Sequence, residues 1–176
     1  MNYHIDTYKT NKNNTLRFIL GKSGAKPLCV LGLNPSTADD RKPDRTLTKI
    51  MGFAERNNYD GFMMLNLYPQ RTPYPENLSP QCISGYHNQN MEMIKDFAHA
   101  NNQLHVLAAW GATIEIRNYL MDCLLDITEI FTHLPVYWYQ IGEQTQKGHP
   151  RHPSRAAYRY GLQPFDIEEY ILRHAH

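Results

Sequence analysis

Asn34, Asn66, Trp110, His149 and His152 each stand beyond the end of an apolar segment, and together they could recognise and release a flat polar ring. A carboxamide displays a donor and an acceptor side by side, which suits the edge of a heterocycle. An imidazole beside a leaving group can hydrogen-bond the negative charge that builds there. Removing one preorganised donor of that kind typically costs about 2.7–4 kcal/mol of barrier. The carbonyl oxygen of Asn34 could hold a water. An amide takes up no proton near neutral pH, however, so Asn34 cannot itself act as a general base.

Such residues act together only if the fold gathers them. Residues 28–33 run into Asn34-Pro35-Ser36-Thr37, and residues 62–65 into Asn66-Leu67-Tyr68-Pro69. Residues 104–109 run into Trp110-Gly111, and residues 136–141 lead towards His149-Pro150-Arg151-His152-Pro153. Short, nearly continuous apolar runs are the pattern of buried parallel strands, and residues beyond their carboxyl ends line the crevice of an open α/β sheet. Residues 15–20 add a strand, expected at an edge. Helical spacing predicts a helix over about 43–57, with Leu47, Ile50, Met51 and Ala54 on one face and Gly52 as its weak point. Further helices are expected over about 84–100, 112–125 and 165–173, and the four prolines between Pro69 and Pro80 mark a loop. Strand and helix alternate, so the expected fold is three-layer αβα with a mainly parallel four-stranded central sheet.

With 176 residues the chain is long enough for one domain, 1–176, with a substantial core; the polar residues 1–14 read as a flexible or loosely packed segment. A formal net charge of +1 excludes a strong global field towards nucleic acid or acidic lipid. One local stretch, residues 147–160, carries Lys147, Arg151, Arg155 and Arg159 and no acidic residue. Three cysteines, at positions 29, 82 and 123, form no close pair and suit free thiols in a reducing compartment. No stretch approaches the roughly 18 apolar residues of a membrane span, so a cytoplasmic location is expected. No Gly-rich phosphate loop and no Cys-x-x-Cys pair appears, so no cofactor and no metal is implied.

In order and spacing these signatures resemble the uracil-DNA glycosylase superfamily. Gly32-Leu33-Asn34-Pro35 is similar to its first motif, in the asparagine version of the mismatch-specific and thymine-DNA branches. Met64-Leu65-Asn66, followed by Gln70-Arg71-Thr72, looks like the strand whose asparagine reads a flipped base, and Trp110-Gly111-Ala112 like the third-strand turn. His152-Pro153-Ser154 looks like the motif carrying the leaving-group histidine, with His149-Pro150 a competing match. A closer resemblance, over roughly residues 15–160, is to the domain-of-unknown-function family numbered sixteen forty-three. Its Leu-Asn-Pro-Ser-Thr-Ala-Asp signature is here Leu33 to Asp39.

The glycosylase resemblance implies hydrolysis of an N-glycosidic bond to a damaged or modified base in DNA, with DNA or a nucleobase-containing small molecule as partner. His152, or His149, would stabilise the departing base, Asn34 would hold water and Asn66 would read the base. Phe53, Tyr68 and Trp110 are candidates for stacking; Ser36, Thr37, Arg71 and Arg155 are candidates for phosphate contact. Departures matter. Vigorous uracil glycosylases carry aspartate where Asn34 stands and an aromatic residue where Ser36 stands, so a base larger than uracil could enter. Other readings stand beside this one. The Asn34 segment also suits a capping turn, Trp110 suits the core, and Asp39, Asp40 and Asp44 suit a charged first helical turn. A non-catalytic nucleobase-binding module and a nucleoside or nucleotide hydrolase are the alternative functions.

Overall fold

The computed structural model describes residues 1–175. Seven strands, not four, form one mixed sheet: β1 (Thr7–Thr10), β2 (Arg17–Lys22), β3 (Pro27–Gly32), β4 (Gly61–Asn66), β5 (Leu104–Ala108), β6 (Val136–Ile141) and β7 (Leu162–Pro164). Their spatial order is β1-β2-β4-β3-β5-β6-β7. The four strands expected from apolar runs are the parallel ones, β4-β3-β5-β6, and the three others pair antiparallel outside them. The extra edge strands escaped sequence reading because Thr-Tyr-Lys-Thr and Leu-Gln-Pro bury too little to require an apolar run. β2 is not an edge strand as expected; it lies between β1 and β4, and five of its six residues are buried.

Two apolar layers flank the sheet. On one face α1 (Arg45–Arg56) packs Leu47, Ile50, Phe53 and Ala54 against Leu28, Val30, Phe62 and Met64. On the other, α2 (Ser84–His99), α3 (Tyr119–Phe131) and α4 (Ile167–His174) cover Leu31, Leu65, Val106 and Ala108. Asp44 caps α1, its carboxylate accepting from the Leu47 amide at 2.8 Å. Gly52, the suspected weak point, lies under the Tyr158 ring: a Cβ there would sit 2.4 Å from the phenol oxygen. The third helix starts later than expected. Residues 112–116 form a 3-10 turn, and Arg117 is extended so that its guanidinium can donate to the carbonyls of Glu76, Leu78 and Ser79 in the proline-rich loop. Tyr3, Ile5 and Tyr8 pack on the α1-side core, and the amino terminus pairs with Glu55 at 2.6 Å. Among the described residues no helix is long and apolar enough to cross a membrane.

Candidate functional site

From β3 the chain goes first to β4 on one side and then to β5 on the other. A crevice opens where strand order reverses in this way, at the carboxyl ends of the strands. Gly32 stands opposite Asn66, and Leu31 opposite Ala108, so the polar strand ends are in register. A cavity of about 430 Å³ lies there. Gly32, Asn34 and Met64 contribute from the strand ends, Thr72 and Pro73 from the proline-rich loop, Asp44 from the start of α1, and His152, Ser154 and Arg155 from the basic loop.

Asn34 lines this cavity with its amide already oriented. Its Nδ2 donates to the carbonyls of Thr72 at 2.9 Å, Pro35 at 3.0 Å and Gln70 at 3.4 Å. Three acceptors around one atom require the NH2 group there, which leaves Oδ1 as the atom available to accept from a ligand or water. Asn66 is fully buried, and neither its Oδ1 nor its Nδ2 has a hydrogen-bond partner. It does not line the cavity but stands directly behind it: a Cβ on Gly32 would come within 3.2 Å of its Oδ1. Such orphaned groups are costly and rare in protein cores, and a functional role is one of the standard reasons for keeping them.

The two histidines part company. His149 is 1 % exposed and lies off the cavity. The Trp110 indole donates to the Tyr170 hydroxyl at 3.0 Å, that hydroxyl meets His149 Nδ1 at 2.9 Å, and His149 Nε2 meets Glu115 at 3.0 Å. Lys147, with His149 behind it, holds the Glu115 carboxyl down at about 2. His174 packs on both His149 and Tyr170. His152, by contrast, stands at the cavity mouth. Its Nδ1 accepts from the Ser154 amide at 3.4 Å and lies 2.8 Å from the Ser154 hydroxyl, so the neutral ring carries its proton on Nε2. Although solvent reaches it, the surrounding protein desolvates the ring enough to hold its pKa below the ordinary histidine value. The Asp44 carboxylate opposes that shift and Arg155 adds to it. Gly111, at φ 67°, makes the tight turn that lets the backbone after Trp110 run against His152.

Of the remaining sequence candidates, Ser36, Trp110 and Arg155 line the cavity, Trp110 from a fully buried core position. Phe53 is buried in α1 against Tyr158, and Tyr68 lies in the opposite core with its hydroxyl accepting from the Ile83 amide; neither reaches the cavity. Arg71 and Thr37 are also outside it. The Arg71 guanidinium is occupied by the carbonyls of Ser36, Thr37 and Ala38 and by Tyr8 and Asn14.

Two charged cavity residues, Arg17 and Asp44, are not among the site candidates read from the sequence. Arg17, on β2, is 2 % exposed; Nη1 donates to the Ala38 carbonyl at 3.0 Å and Nε has no partner. No carboxylate oxygen of the described residues lies within 4.0 Å of its guanidinium. Burial, with repulsion from Arg71, lowers its pKa to about 10. A lone arginine inside Leu16-Arg17-Phe18-Ile19-Leu20 was the available signal. Among the described residues Asp44 is the only carboxylate on the cavity, and its capping role had concealed it.

No curated protein and no solved structure matches the chain. A family model described as a protein of unknown function, DUF1643, matches residues 17–154. That span begins at Arg17, ends at Ser154 and holds every cavity residue named above except Arg155. The chain belongs to the DUF1643 family.

Proposed function

We propose that this cavity takes a nucleobase attached to a sugar phosphate and that the protein hydrolyses the N-glycosidic bond of a damaged or modified base, in the manner of a DNA glycosylase. The observation that carries the reading is the meeting of Asn34, Asp44, His152 and Arg17 on one cavity of about 430 Å³. In the proposed step the bond between base and sugar breaks and its electron pair leaves with the base. His152 Nε2–H hydrogen-bonds the base oxygen on which that charge collects. A water held by Asn34 Oδ1 adds to the sugar carbon and gives its proton to Asp44, which supplies the carboxylate that Asn34 cannot. The base anion is then protonated from solvent. Arg17 and Arg155 offer charge to phosphate oxygens. Asn66 would meet the base edge once the ring displaces the Met64 methyl, which lies over Gly32.

The test is to incubate the protein with oligonucleotides carrying uracil, hypoxanthine or bulky modified pyrimidines and to count abasic sites. His152→Ala should lower the rate about 10²–10³-fold. Equal inertness of wild type, Asn34→Ala and His152→Ala on every substrate would end the catalytic reading. A second reading, a module that binds a nucleobase without cleaving it, is favoured by the formal charge of only +1. It predicts calorimetric binding with no product. Turnover of mononucleotides without salt-dependent DNA affinity would instead select a nucleotide hydrolase.

A further inference from the structure

Far from the cavity, the fold brings together two of the three cysteines that are widely separated in sequence. Cys82 is exposed just before α2, His87 lies in the first turns of α2, and Cys123 is buried on α3. One ligand atom from each falls within 4.8 Å of the other two. We propose that Cys82, His87 and Cys123 form a binding site for a thiophilic divalent cation of the zinc class.

Three geometric facts support this. First, a tetrahedral ion with sulfur at about 2.3 Å and nitrogen at about 2.0–2.1 Å sets those two atoms about 3.5–3.6 Å apart. Cys123 Sγ and His87 Nδ1 are 3.4 Å apart. Secondly, the other ring nitrogen is already held: His87 Nε2 lies 2.7 Å from Asp126 Oδ2, one turn along α3 from Cys123. A carboxylate on the far nitrogen is the usual partner of a metal-bound imidazole, fixing its tautomer and ring direction. Thirdly, the Cys82 sulfur lies in the same 4.8 Å sphere, so three donors from separate stretches of chain are close enough to share one ion. Binding would release two thiol protons, leaving two thiolates whose charge offsets that of the ion, and a fourth position on the exposed Cys82 side for water.

Such an ion would tie the end of the proline-rich loop to α3. That loop forms the cavity wall at Thr72, Pro73 and Pro75 and is fastened again where the Ile83 amide donates to Tyr68. The site does not depend on the proposed function, and its test is separate. Untagged full-length protein, reduced and stripped with chelator, is titrated with cobalt(II) and then with zinc in competition with a chromophoric chelator. The expected result is a single ion per chain, with a thiolate-to-cobalt charge-transfer band and tetrahedral visible bands that zinc abolishes. Cys82→Ser, which changes an exposed residue and leaves the circular dichroism unaltered, should remove most of the charge-transfer intensity. Asp126→Asn should weaken zinc binding about 10–100-fold. The proposal fails if the reduced protein takes up no ion, or if Cys82→Ser binds as tightly as wild type. It also fails if air oxidation joins Cys82 to Cys123 while the reduced form ignores metal, which would identify a redox pair.

Discussion

At the scale of single residues, Arg17 sets the character of the cavity. Burying a guanidinium costs several kcal/mol, usually offset by a carboxylate. Here, among the described residues, the guanidinium donates only to the Ala38 carbonyl, and Nε has no partner. A group held at such expense on a cavity wall is suited to an anion arriving from outside. Arg17→Met keeps the length and removes the charge, so stability should stay level or rise by about 1–2 kcal/mol in urea denaturation. Affinity for a nucleoside monophosphate should fall by about 1.5–3 kcal/mol, the worth of a charged hydrogen bond. The matching nucleoside, titrated by calorimetry, should bind the variant and wild type alike; an equal loss for both would place the ligand's anion elsewhere. Gly32 is a second such position. A Cβ there would meet Met64 Cε at 2.4 Å, the movable end of a side chain that also lines the cavity. Gly32→Ala should therefore fold, push Met64 into the cavity and weaken ligand binding in the same titration.

At the scale of elements, the proline-rich loop is a wall only because other segments grip it. Arg117 interrupts the expected third helix and donates to the carbonyls of Glu76, Leu78 and Ser79. Removing those bonds leaves the partly buried Leu78 carbonyl without a partner, while Ser79 keeps the Tyr119 hydroxyl, so Arg117→Ala should lose about 1–3 kcal/mol of stability. It should also speed limited proteolysis within residues 73–80, whereas cleavage elsewhere should be unaffected. This interruption also marks a limit of legibility. The parallel strands and α1, α2 and α4 could be read because an apolar run or a 3.6-residue period is a local property. The break at Arg117 could not, since its cause lies some 40 residues upstream in sequence. The site was legible in the same partial way. Asn34 and His152 advertised themselves through strand-end motifs, but only tertiary contacts separate His152 from His149, whose two ring nitrogens are taken by Tyr170 and Glu115. Likewise the cysteines gave no spacing signal, because α2 and α3, not a local motif, bring Cys82 and Cys123 together.

At the scale of the whole molecule, two cores share one sheet, and the histidines at their margins make the fold sensitive to acid. Burial lowers the pKa of His152 at the cavity mouth, of His105 between Tyr59 and Tyr139, and of His174 against His149. Each of these rings therefore binds a proton less readily when folded than when unfolded, where the value is 6.5. Protons then favour the unfolded chain, so this part of the stability is complete above pH 6.5 and declines as pH falls below it. A second loss comes lower. Glu115, Asp6 and Asp39 have lowered carboxyl pKa values, set mainly by Lys147 for Glu115, by Ser23 against an opposing desolvation for Asp6, and by the Arg41 and Lys42 amides for Asp39. Their contributions are present above the ordinary carboxylate values and fade as pH falls towards the folded ones. Because these carboxylates are solvent-exposed, screening by water keeps each contribution small. Urea midpoints measured at steps from pH 8 to pH 3 should thus decline in two stages, the first beginning near 6.5. Glu115→Gln should flatten part of the lower stage and leave the upper one in place. A midpoint flat from pH 7 to 5 would mean that these rings are as free to protonate in the folded protein as in the unfolded chain, and that His152 is not desolvated at the cavity mouth.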